Sequence, residues 1–124
     1  MGEYVPKVAT LDGFTEITET VNAVALAETG FEWTLVVQTE NSTYTILVLD
    51  PAKREVAVTG GKYFPSPEKC VLSGSLFGGS FLWVGRIGIG MRIELMLNDG
   101  ITLITSPVKK ISVYPPAQTN TPVN

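Results

Sequence analysis

From Trp33 onward the chain alternates. In "WTLVVQT" (33–39) Trp33, Leu35 and Val37 fall on one side of an extended backbone, and in "TYTILVLD" (43–50) Tyr44, Ile46 and Val48 do the same. Successive side chains of a strand point to opposite faces, so this period of two, rich in β-branched residues, specifies half-buried strands. "ENS" between the runs predicts a turn and hence a hairpin. "DPAKR" follows, with Pro51 suited by its fixed φ to the second position of a turn, and "EVAVT" (55–59) then runs until Gly60-Gly61 stops it. A three-stranded meander over 33–59 is the simplest topology.

"MRIELMLNDGITLIT" (91–105) predicts a second hairpin, and its faces fix the register. With Asn98-Asp99-Gly100 as a three-residue loop and Gly100 left-handed, Leu97 faces Ile101, Leu95 faces Leu103 and Ile93 faces Thr105. A two-residue Asp-Gly loop would mix apolar and polar faces and bury less. Arg92, Glu94 and Thr102 then point to solvent. Pro107 is expected to end that strand, and "KKISVY" (109–114) supplies one more, with Ile111 and Val113 inward. "PPAQTNTPVN" has no apolar period and reads as a disordered tail over 115–124.

The first thirty residues read less clearly. Ile17, Val21 and Val24 stand at helical spacing in "TEITETVNAVALAE" (15–28), with alanine filling and Gly30 as a stop, which slightly favours a short N-terminal helix. The alternation of Val24 and Leu26 supports strand, turn, strand across Thr29-Gly30 instead.

Half of the glycines fall in "SGSLFGGSFLWVGRIGIGM" (73–91), beside Phe77, Phe81 and Trp83. Gly74 and Gly79 have the spacing of a phosphate-binding P-loop, but Ser80 stands where the lysine is needed. The dinucleotide fingerprint fails as well, because Gly88-Ile89-Gly90 is followed at the third glycine position by Ile93. Read as a strand, residues 81–90 point Phe81, Trp83, Ile87 and Ile89 one way and Arg86, Gly88 and Gly90 the other. Glycine costs a strand stability and marks a bend or a close approach. The bare face is expected to bend sharply or to let an aromatic or a second subunit lie on it, and Phe77, Phe81, Trp83, Arg86, Gly88 and Gly90 form the candidate interface.

At 124 residues and 44% hydrophobic, the chain suits one domain with a core of its own. The absence of histidine removes the commonest general base, the commonest metal ligand and every Ser-His or Cys-His arrangement. Cys70, alone, has no disulfide partner and no second thiolate for zinc, and reads as a buried small hydrophobe. The carboxylates are scattered. No catalytic residue, metal site or cofactor is expected, and any enzyme chemistry would be confined to Lys, Tyr, Asp, Glu or Cys70. No basic, then apolar, leader opens the chain and no window nears the eighteen or so apolar residues of a spanning helix, so a cytoplasmic protein without a membrane partner is expected.

Six acids against Lys7 in residues 1–32 make the N-terminal segment acidic, whereas 33–124 hold eight cations and six acids. Lys53 and Arg54 in one turn and Lys62, Tyr63 and Phe64 in the next, with Lys69, Arg86, Arg92, Lys109 and Lys110, would stack and neutralise a single-stranded nucleic acid or another anionic ligand if they converged. The net charge of −3 disfavours that partner.

"TENSTY" (39–44), "GSLFGGSFL" (74–82) and "TSPVKKI" (105–111) resemble a group of small uncharacterised bacterial all-β proteins. The resemblance spans residues 33–114 and implies a compact bacterial β domain without an assignable activity. The expected architecture is all-β: a small, partly closed antiparallel barrel, SH3-like or OB-like, or a compact sandwich of about six strands. Its organisation is an acidic segment (1–30), a β domain (31–114) and a tail (115–124). The expected role is a non-catalytic interaction or structural module, self-associating or binding a protein partner. The alternative is a single-stranded nucleic-acid or anionic-ligand binder.

Overall fold

The computed structural model describes residues 7–11, 14–78 and 80–116, with side chains from Thr20 onward. Strands β1 (Lys7–Leu11), β2 (Phe14–Val21) and β3 (Ala23–Ala25) come first, followed by a single 3-10 turn, Leu26–Glu28. The meander expected over 33–59 is β4 (Thr34–Thr39), β5 (Thr43–Asp50) and β6 (Glu55–Gly60). Then come β7 (Phe64–Phe77), β8 (Phe81–Val84), β9 (Arg86–Gly88), β10 (Arg92–Leu97) and β11 (Thr102–Tyr114).

Hydrogen bonding runs in the order β1-β2-β11-β10-β7-β6-β5-β4, and β4 also pairs back onto β11. The protein is all-β, and its antiparallel sheet curls into a partly closed ring. One sheet folding on itself replaces the expected alternative of two stacked in a sandwich. The alternation legible in the sequence lines the interior: Leu35 opposes Ile46, Val37 opposes Tyr44, Ile46 opposes Val58 and Val48 opposes Val56. These side chains join Phe64, Leu72, Ile93, Leu95, Val108, Ile111 and Val113 in one buried cluster. Burial of this kind contributes roughly 25 cal/mol per Å² of apolar surface removed from water.

A second, two-stranded ribbon, β3 with β9, adds Leu26 and Ile87 to the same cluster. It is continued by Leu26 N–H to the Gly85 carbonyl and Ile89 N–H to the Asn22 carbonyl, 2.9 and 3.0 Å.

The β10–β11 hairpin has the expected register, Leu95 opposite Leu103, with Leu97 N–H donating to Ile101 O and Gly100 at φ 86. At Ile93 the ladder bulges. Its N–H goes to the Thr105 hydroxyl, 3.0 Å, which itself donates to Ser106 O.

Two expectations are corrected. The helix over 15–28 does not form: β2 occupies 14–21 and pairs with β11 at Val21–Ile111, Thr20–Ser112 and Glu19–Val113. Thr15, Ile17, Thr18, Thr20 and Val21 are β-branched and lose side-chain freedom in a helix, and the edge of β11 offers them a ladder. Pro107 does not end its strand. β11 runs on through it, changing partner from β10 to β4 at a bulge where Glu40 N–H donates to the Pro107 carbonyl. The segment 117–124, read as a tail, lies outside the described residues.

Candidate interaction surface

The glycine-rich run becomes a projecting hairpin. β7 and β8 pair Gly74 with Val84, Ser75 with Trp83, Leu76 with Leu82 and Phe77 with Phe81. By alternation Ser75, Trp83, Phe77 and Phe81 share one face. Ser75 lies in the interior, while Phe77 and Phe81, a cross-strand pair at the tip, remain 58% and 60% exposed. The same face thus runs from the core to an aromatic tip, and that outer end has no cover among the described residues.

Two glycines make this geometry feasible. At Gly74 (φ 150) a Cβ would lie 2.2 Å from the Trp83 carbonyl oxygen. At Gly88 it would meet the Trp83 ring at 3.2 Å and the Met91 sulfur at 3.0 Å. The bare face of the sequence is therefore filled from within the chain: Trp83 lies on Gly88, and the Arg86 guanidinium sits 5.0 Å from the Trp83 ring centroid, a cation–π contact. The strand expected over 81–90 breaks at Gly85 (φ 67), so that β8 pairs with β7 and β9 with β3. Gly90, in a turn at φ 83, faces open space.

Of the candidate interface, Phe77 and Phe81 stay together on the outside. Trp83 and Gly88 are joined in internal packing.

The two turns that carry the candidate cations and aromatics lie apart. Lys53 and Arg54 lie in the β5–β6 turn, Lys62 and Tyr63 in the β6–β7 turn, at opposite ends of a six-residue strand, a separation of roughly 20 Å at about 3.3 Å per residue. Phe64 is 1% exposed and packs edge-on against Tyr44, ring centroids 6.3 Å apart, so it belongs to the core and offers no stacking face. Tyr63 is 65% exposed. Lys69 pairs with Glu55 at 3.7 Å and Lys109 with Glu40 at 3.3 Å.

Sequence reasoning missed a groove of about 660 Å³, lined among others by Asn41, Tyr44, Lys62, Tyr63, Ile104 and Ser106. It lies where the ring stays open. β11 pairs with β10 on one side of Thr102–Ile104, but β4 takes up the other side only beyond Pro107. Leu97 and Leu95 occupy hydrogen-bonded positions, so Thr102 and Ile104 direct their backbone groups away from β10, those of Ile104 along the groove. "TENSTY" was the available signal, read as turn chemistry; Thr39 does bond Ser42 in that way.

Cys70 is buried in the core. Burial, with a smaller contribution from Glu68, pushes its thiol up to about 11 from 9.0, the reverse of what a nucleophile needs. No helix of the described residues is long and apolar enough to cross a membrane. Comparisons with protein-family models, with curated proteins and with solved structures found no match. The molecule is thus placed by its own geometry: a partly ringed all-β domain with an aromatic hairpin standing out from it.

Proposed function

We propose that this protein is a non-catalytic interaction module that self-associates through the tip of the β7–β8 hairpin. The exposed cross-strand pair Phe77–Phe81 carries the reading. Two aromatic rings on a hydrogen-bonded hairpin supply large apolar area, the composition of an interface centre. A second copy suits the site because Ser75–Val84 holds no charged side chain. Molecules each carrying −3 then meet at a neutral patch, and the two-fold arrangement brings the same pair from both copies together.

Light scattering across a hundredfold concentration range tests the reading. The wild-type mass should rise to that of a defined oligomer, and Phe77→Ser with Phe81→Ser should hold the chain monomeric while leaving its thermal transition in place. A wild-type chain monomeric throughout would remove the proposal.

A further inference from the structure

Arg54, in the β5–β6 turn, and Arg86, in β9, line one pocket of about 220 Å³. Leu26, Pro51, Ala52 and Val84 give it largely apolar walls. We propose that this pocket binds a small organic carboxylate, its charged head held by the two guanidinium groups and its short aliphatic body against Leu26 and Val84.

The electrostatics favour an anion. Arginine stays protonated at any ordinary pH, and two of them line this one small pocket. Among the described residues no acid lines the pocket. Asp50 accepts the Lys53 N–H, Glu55 pairs with Lys69, and Glu28, on the 3-10 turn, does not line the pocket. Arg54 Nε is buried and has no hydrogen-bond partner. An Nε–H beside an Nη–H forms the fork that matches both oxygens of a carboxylate.

Both side chains are held in place. Arg54 sits at φ 57, in the left-handed region that non-glycine residues seldom occupy. Its N–H reaches the Pro51 carbonyl at 3.2 Å and its carbonyl accepts Leu72 N–H at 2.9 Å. Its stem crosses Gly85, where a Cβ would come within 3.2 Å of Arg54 Cδ. Backbone strain of this kind persists where the surroundings enforce it, and ligand clamps are among the places it collects. Arg86 is steadied by the Trp83 ring and by the buried Ser75 hydroxyl, which donates to its carbonyl at 2.7 Å. The volume suits a ligand of only a few heavy atoms, below the roughly 300 Å³ at which drug-sized sites begin.

Isovalerate is the probe, titrated into the full chain and followed by backbone amide shifts. Isoamyl alcohol, with the same body and no charge, and inorganic phosphate, charged without a body, are the controls. Saturable shifts at Arg54, Gly85 and Arg86 are expected with isovalerate, and affinity at least about tenfold weaker for either control. Arg86→Gln, at an exposed side chain, should weaken isovalerate binding by a similar factor. Arg54→Lys, which keeps the charge and loses the fork, should do so too. No saturable shift, binding indifferent to Arg86→Gln, or phosphate binding as tight as isovalerate would each overturn the proposal.

Discussion

A methyl group on Gly74 would lie 2.2 Å from a backbone oxygen that cannot move without parting β7 from β8. Gly74→Ala should therefore destabilise the fold by at least about 2 kcal/mol. Gly90→Ala meets no atom within 4 Å and carries only the strain of its positive φ, on the order of 1 kcal/mol. Urea melts of the two variants separate a clash from a conformational cost. Cys70 gives a second test at this scale. Its thiol holds its proton more tightly folded than unfolded, so the stabilisation it contributes is complete below about 9 and is lost as the pH climbs through about 11. Cys70→Ala should flatten that alkaline slope, and iodoacetamide should label the native protein slowly at pH 8. Fast labelling without denaturant would contradict the burial.

Elements legible in the sequence are those whose pairing is local. The meander and the Asn98-Asp99-Gly100 hairpin declare themselves because alternation and turn chemistry sit side by side in the chain. The long strands were hidden by proline. Pro107 in β11 reads as a breaker, yet the ladder shifts register around it, as it does around Pro65 and Pro67 in β7, so their missing N–H groups interrupt no regular pairing. β2 was masked by the alanines that follow it, since what makes it a strand is the distant edge of β11. The same holds for the site. Phe77 and Phe81 stood out beside the glycines as part of a candidate interface, whereas the meeting of Arg54 with Arg86 is made by the fold and leaves no mark in either local sequence. The bulge joining β10 to β11 yields a prediction of its own. Thr105→Val removes the acceptor of the Ile93 N–H and leaves it buried without a partner, a loss of about 1–3 kcal/mol. Thr105→Ser keeps the oxygen and should recover most of that in the same urea melts.

At the scale of the molecule, the path β11-β10-β7-β6-β5-β4 returns to β11 without β1 or β2, which append to its outside. Among the described side chains, the buried cluster draws its members from Leu26 onward. A chain beginning at Asn22 should consequently keep a cooperative transition and a β-rich circular dichroism spectrum, while losing the packing of Val21 against the cluster and the ladder at Ile111–Val113, the ladder contributing about 1–3 kcal/mol. Its solution behaviour should change more than its stability. Removing residues 1–21 uncovers one edge of β11 and leaves eight acids and eight cations, so the formal net charge moves from −3 to zero. An unpaired edge and a vanished net repulsion both favour association. This contact is distinct from the hairpin tip, because it forms through backbone hydrogen bonds and does not need the phenylalanines. Phe77→Ser with Phe81→Ser should dissociate the full chain yet leave the truncated one associated. If the same pair of substitutions makes both monomeric, β2 is not shielding an edge, and the hairpin alone governs how the molecules meet.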